Sequence, residues 1–216
     1  MIKGIVFDFD GTLANSLISG LDGFNYAYEK MGMTKPESAE IKKYFGAGAD
    51  RIFHRLLGDW PKALEAFEHY KVYRTENPFH STWHTGVEEL LEKIAVHQIP
   101  AAIVTGRHSE DLDLVSQHLG LAGRFVKVVC DNHVQASKPS PEGIILAAAA
   151  LQLLPSEIIY VGDSSSDIEA AHAAGAIAVA ALWDQSAIKD NFQTKPDHWA
   201  HTPEELWQIF LKYSTL

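Results

Sequence analysis

Asp8 and Asp10 stand two residues apart at the end of the apolar run Ile5-Val6-Phe7 and open directly into Gly11-Thr12. Such a run reads as a buried strand, and a parallel α/β sheet binds its ligands beyond the carboxyl ends of its strands. Two carboxylates on alternate positions beside a glycine turn suit a metal ion and a phosphate. A second acidic pair, Asp163 and Asp167, lies in Gly162-Asp163-Ser164-Ser165-Ser166-Asp167, after the apolar run Ile158-Ile159-Tyr160-Val161. Its spacing puts Asp163 at a strand tip and Asp167 on the first turn of a helix. Magnesium is commonly held by one or two carboxylates with water and phosphate. For either acid alone, capping the helix dipole is the simpler reading.

Two further motifs carry polar chemistry. Thr105-Gly106-Arg107 follows Ala101-Ala102-Ile103-Val104 and offers a hydroxyl and a backbone N–H to a phosphate oxygen. Lys138-Pro139-Ser140-Pro141 sets a lysine before a proline-started helix, where its ammonium can aim at the helix's amino end. Singly, these are ordinary turn chemistry and an ordinary solvated lysine. Four such motifs, each at the end of a predicted strand, specify one site together.

The elements that must position them follow from the hydrophobic pattern. Strands are predicted at Ile2 to Phe9, Ile99 to Thr105, Phe125 to Cys130, Ile158 to Gly162 and Ala176 to Leu182. Helices such as Val87 to His97 and Pro141 to Leu153 separate the later ones, so the expected class is α/β with a Rossmann-like, mainly parallel sheet. Ser140-Pro141-Glu142 and Thr202-Pro203-Glu204-Glu205 have the form of capped helix starts. Between Asn15 and about Ser81 only helical segments are expected: Leu17 to Met31, Pro36 to Phe45, Ala49 to Leu57 and Pro61 to Glu76. Leu21, Phe24 and Tyr28 give the first an apolar face. The expected organisation is a catalytic core over 1–15 and 82–216, with a small all-helical cap domain over 16–81 that could close over substrate.

Composition excludes other classes. The chain has 216 residues, is 46% hydrophobic and has a formal charge of -10, which argues against an electrostatic grip on nucleic acid or an anionic membrane. A phosphorylated small molecule is the expected partner, and it needs local positive charge. The lone Cys130 rules out an internal disulfide, and with no apolar stretch near the roughly 20 residues of a membrane span, a cytoplasmic location is expected. His80 and His84 have helical spacing without the carboxylate a zinc motif requires. Trp60, Phe67, Tyr70 and Tyr73 read as cap core.

The ordered strings DFDGT, VTG, KPSP and GDSSSD resemble the four motifs of the haloacid dehalogenase-like hydrolase superfamily nearly end to end. The helical insertion after the first motif resembles the cap of the phosphoglycolate phosphatase and β-phosphoglucomutase group, and Gly46-Ala47-Gly48-Ala49-Asp50 is similar to a stretch of phosphoglycolate phosphatases. The resemblance implies that Asp8 is the nucleophile that forms an aspartyl-phosphate and Asp10 the general acid and base. It implies Mg²⁺ held by Asp8, Asp163, the backbone carbonyl of Asp10 and, directly or through water, Asp167. Gly11, Thr105, Gly106 and Lys138 would surround the phosphoryl oxygens. Arg51 and Arg107 are the cationic candidates for substrate specificity. Thr105-Gly106-Arg107 departs from the T-N-K common in phosphoglycolate phosphatases, and Leu182-Trp183-Asp184-Gln185 departs from their glycine- and tyrosine-rich loop. The function implied is Mg²⁺-dependent phosphatase action on a small, phosphoglycolate-like metabolite. The alternatives are a β-phosphoglucomutase-like phosphotransferase and a non-catalytic phosphate-binding regulatory module.

Overall fold

The computed structural model describes residues 1–77 and 81–216. The central sheet has six strands, all parallel: β1 (Gly4–Phe7), β4 (Ala101–Val104), β5 (Lys127–Val129), β6 (Ile158–Gly162), β7 (Ile177–Ala181) and β8 (His198–Ala200). Their order is β5-β4-β1-β6-β7-β8, which puts β1 in the interior. Every residue of β1, β4 and β6 is buried, as strands covered on both faces require.

Alternation along the strands divides the core in two. Ile5, Phe7, Ile103, Ile159 and Val161 face one side, where α5 (Val87–Val96), α6 (Ser109–Leu119) and α9 (Pro203–Tyr213) cover them. Val6, Ala102, Val104, Ile158 and Tyr160 face the other, against α7 (Glu142–Ala150) and α8 (Ser165–Ala174). The register pairs Phe7 with Ile103 on β4 and with Val161 on β6. The three chains therefore leave the sheet side by side, and Asp8, Thr105 and Asp163 emerge at one edge.

Between β2 (Ala14–Asn15) and β3 (Thr82–Trp83) lie α1 (Leu17–Lys30), α2 (Ser38–Lys42), α3 (Ala49–Leu57) and α4 (Trp60–Glu76). They share a core of their own around Phe24, Tyr28, Ile41, Phe53, Phe67 and Tyr70. Gly23 lets α1 approach α4 closely, since a Cβ there would sit 2.8 Å from the Tyr70 ring. Asp59 caps α4 by accepting from the Lys62 N–H, and Thr202 caps α9 by accepting from Glu205.

Several sequence expectations need correction. The segment that reads as purely helical is bracketed by a short antiparallel ribbon, with Ala14 opposite Trp83 and Asn15 opposite Thr82. The sixth strand, β8, is too short to carry a pattern of its own. The second insertion helix spans only Ser38–Lys42. At the start of α7 the Ser140 hydroxyl accepts from the Glu142 N–H at 3.3 Å across Pro141, and the Glu142 carboxylate reaches back to the N–H groups of Gln135 and Ala136. Trp60 is 45% exposed and stacks on His54, outside the insertion core, while Tyr73 packs on Tyr26. Phe67 and Tyr70 are core as expected. No helix among the described residues is long and apolar enough to cross a membrane.

Candidate active site

The edge formed by β1, β4 and β6 gathers the four polar motifs. Asp8 leaves the end of β1 with its N–H bound to the Val161 carbonyl at 2.8 Å, which fixes the backbone against β6. Lys138, on the loop before α7, donates to Asp8 Oδ1 at 2.7 Å and to Asp167 Oδ1 at 2.6 Å, and all three side chains are buried. A buried ammonium shared by two carboxylates is fully charged: burial would lower its pKa, but Asp167 and Asp8 together raise it well above the ordinary value.

Asp167 is the fixed point of this group. Its Oδ1 also accepts from the Tyr160 hydroxyl at 3.0 Å, and its Oδ2 accepts from the Ser164 N–H at 3.1 Å and the Ser164 hydroxyl. One carboxylate thus caps the start of α8 through Oδ2, as the capping reading expects, and positions Lys138 through Oδ1. A Cβ at Gly162 would collide with Asp167, which is why glycine ends β6.

Asp8, Asp163 and Asp167 each bring a carboxylate oxygen within 4.8 Å of the others. Against three carboxylates stands one ammonium. Burial first, then the charge of Asp167, pushes Asp8 up to about 7 although Lys138 opposes the shift. Burial, then Asp8 and Asp167, push Asp163 well above the usual carboxylate range. A group of hard oxygen donors short of positive charge fits a divalent cation such as Mg²⁺. With both Asp167 oxygens already engaged, Asp8 and Asp163 are the side chains with oxygens to offer it. Gly11 adopts φ +79, and a Cβ there would collide with Asp163. Its N–H donates to the Ala14 carbonyl at 2.9 Å, within its own turn.

Asp10 belongs to a different network. Arg107 grips it through Nε at 2.8 Å and through Nη2, and the Ser16 hydroxyl donates to it as well. The other arm of Arg107 reaches Asp111 at 3.0 Å, and Asp111 takes Arg74 of α4 on its second oxygen at 3.2 Å. Arg74 in turn donates to Ser19 of α1 at 2.8 Å. Burial alone would raise Asp10, but Arg107, by charge and hydrogen bond, and then Ser16 outweigh it and hold Asp10 below the ordinary carboxylate value. The two motif-one aspartates are therefore driven in opposite directions by their surroundings.

The remaining expected residues fall as follows. Thr105 is buried and its hydroxyl accepts from the Arg107 N–H at 3.1 Å, while Gly106 passes so close to the insertion that a Cβ would lie 2.7 Å from the Gly46 carbonyl oxygen. Arg51 pairs with Asp131 at 3.1 Å, and His108 meets Asp50 at 3.3 Å, so two ion pairs join α3 to the sheet domain. Burial pushes the Cys130 thiol up to about 12, as suits a core residue. His84 faces Asp184 at 3.4 Å, and His80 lies outside the described residues. Sequence reasoning missed Arg74, Asp111, Ser16, Ser19 and Tyr160. A polar residue such as Arg74 carries no local signal of burial, and its partner is 37 positions away. Asp8, Asp10 and Asp163 open onto a cavity of about 90 Å³ between the sheet edge and the helical insertion.

The haloacid dehalogenase-like hydrolase family matches residues 5–181, and the chain belongs to that family. It is 29% identical to a phosphoglycolate phosphatase of Chromobacterium violaceum, over 83% of this chain and 84% of the relative. It is 28% identical to an N-acetylmuramic acid 6-phosphate phosphatase of Pseudomonas putida, over 92% of this chain and 89% of the relative. A crystal structure described as a predicted phosphoglycolate phosphatase from Haemophilus somnus shares the fold with a TM-score of 0.85 and 24% identity, covering 96% of this chain and 97% of that one. The chain is thus a hydrolase of this family, phosphoglycolate phosphatase-like in sequence.

Proposed function

We propose that this protein is a Mg²⁺-dependent phosphomonoesterase that acts on a small phosphorylated metabolite through an aspartyl-phosphate on Asp8. The observation that carries this reading is the buried Asp8–Lys138–Asp167 bridge beside Asp163, open to a cavity that Asp10 borders from the other side. Asp8 Oδ attacks phosphorus and the ester P–O bond breaks; Asp10, ionised against Arg107 in the free protein, takes up the ionisable proton that a monoanionic ester brings and passes it to the departing alkoxide oxygen. Asp10 then takes a proton from water as that water attacks phosphorus, and the bond to Asp8 breaks to release inorganic phosphate. Lys138 keeps positive charge against the transferring group, and Thr105 and Gly106 border the cleft that Lys138 shares. Asp8 and Asp163 would hold the divalent cation, which would supply positive charge between the anionic nucleophile and the anionic ester. Helices α1 to α4 act as a cap whose contact with the sheet domain shields the site from water.

Relatives of comparable identity are named for different substrates, phosphoglycolate and N-acetylmuramic acid 6-phosphate, so 2-phosphoglycolate is one arm of the test. The test is phosphate release from a broad panel of metabolite esters with and without Mg²⁺, with Asp8→Asn as control. Turnover that needs Mg²⁺ and vanishes in folded Asp8→Asn is expected. Full Mg²⁺-dependent activity in that variant would remove Asp8 as nucleophile.

A further inference from the structure

The cavity above Asp8 and Asp10 differs sharply from one wall to the other. On the insertion side it is lined by Phe24, Phe45, Ala47, Ile52, Phe67 and Tyr70, an apolar and largely aromatic surface. On the sheet side stand the carboxylates Asp8, Asp10, Asp111 and Asp163. Its cations, among the described residues, are already matched. Arg107 is held by Asp10 and Asp111, and His108 by Asp50. Arg74, behind the wall, is held by Asp111 and Ser19. Arg51 pairs with Asp131 and is not on the wall.

The geometry points to a substrate class: phosphate monoesters whose alcohol is uncharged and presents an apolar face, with no second anionic group. This rests on the phosphatase reading and deepens it. A carboxylate on the alcohol would enter an aromatic pocket that has no unmatched cation, next to carboxylates that repel it. Leaving a charge unpaired in such a place costs more than the roughly 1.4 kcal/mol that corresponds to a tenfold change. An alkyl or aromatic body instead gains contact with Phe24, Phe45 and Phe67. The apolar wall comes from α1, α3, α4 and the turn at Phe45 to Ala47, so the selection resides in the insertion while the charge chemistry stays on the sheet.

Matched esters test this in the full-length protein with Mg²⁺. Ethyl phosphate is compared with 2-phosphoglycolate, and benzyl phosphate with 4-carboxybenzyl phosphate, so that a carboxylate is the main change within each pair. The uncharged member is expected to have a kcat/KM about tenfold higher or more in both pairs. Phe45→Arg, with Ala47→Lys as a second route to the same end, places a cation on the wall. Each variant that keeps a cooperative melt is expected to narrow the ratio by raising kcat/KM for the carboxylated ester. Binding of benzylphosphonate and 4-carboxybenzylphosphonate, measured by calorimetry, reads the pocket without turnover. Equal or better use or binding of the carboxylated compounds by the unaltered protein overturns the assignment. Preferential binding of benzylphosphonate with no ester hydrolysed would overturn the phosphatase reading while sustaining the pocket assignment.

Discussion

Asp111→Asn separates a structural role for the arginine network from mere surface pairing. Asp111 takes a different guanidinium on each oxygen, Arg74 at 3.2 Å and Arg107 at 3.0 Å, and the side chains of Asp111 and Arg74 are 4% and 3% exposed. Asparagine keeps the shape but removes the charge, and its NH₂ points a donor at one of the two arginines. Two buried cations are then left with Asp10 as their only carboxylate. Breaking a buried pair by removing one partner costs about 3–5 kcal/mol. For a chain of this size that is a fall in Tm of roughly 6–20 °C, at about 2–4 °C per kcal/mol. Urea denaturation of the single variant, Arg74→Met and the double variant gives the coupling directly. A coupling energy of about 1 kcal/mol or more is expected, since residues in one network are not additive. The loss should change little between low and high salt because these charges are screened from solvent. A single-variant loss below about 1 kcal/mol, the range of exposed pairs, would refute the reasoning. So would strict additivity.

Three other perturbations address the site and its attachment to the insertion. Asp10→Asn should lower kcat by about 10²–10⁴ for alkyl phosphates and much less for p-nitrophenyl phosphate, whose leaving group departs without a proton; equal losses on both would exclude an acid role. Lys138→Met should lower kcat/KM by about 10²–10³ on both ester types alike, because it removes charge stabilisation of the phosphoryl group itself; sparing of p-nitrophenyl phosphate would contradict that role. The Asp50 carboxylate, 3.3 Å away, raises His108 above 6.5 despite burial, so the native state holds this proton more tightly than the unfolded chain. The pair's stabilisation, about 1 kcal/mol or less for partly exposed groups, is full below pH 6.5 and disappears as pH rises through the elevated native value. Urea midpoints of the unaltered protein and His108→Asn should therefore separate in acid and converge in alkali. A gap that widens with alkalinity would contradict the assignment.

The convergence of Asp8, Thr105 and Asp163 was legible because a parallel sheet delivers its strand ends to one edge and each of these residues follows an apolar run, while Lys138 reaches the same edge from the loop before α7. The helical insertion was legible because 17–76 lacks strand periodicity while α1 carries Leu21, Phe24 and Tyr28 on one face. What pairs across the chain was not. Arg107 reads as a free cation in Thr105-Gly106-Arg107, and only tertiary structure reveals that Asp10, 97 positions away, occupies it. Gly11 reads as an anion-binding turn, yet the tight return to Ala14 engages its amide. Trp60 reads as core from its spacing, but it lies off the buried face of α4, which Ala63, Ala66, Phe67 and Tyr70 take, and stacks on His54 at the surface. The strand β8 is three residues at the sheet's outer edge, fewer than a period-two pattern needs to declare itself.

Charge balance links the two halves of the site. Around Asp10, two carboxylates, Asp10 and Asp111, face two guanidiniums, Arg107 and Arg74, and that side is neutral before any ligand arrives. Around Asp8, three carboxylates face the single ammonium of Lys138. An incoming phosphate ester carries its charge at one end, so the half that is short of positive charge can accept it only together with a cation, and the balanced half has no charge to offer the other end. On the proposed reading, the phosphoryl group goes to Asp8 in company with a divalent ion, and the alcohol to the aromatic wall of the insertion. Orientation of the substrate follows from this asymmetry, and with it the unequal duties of two aspartates only two residues apart.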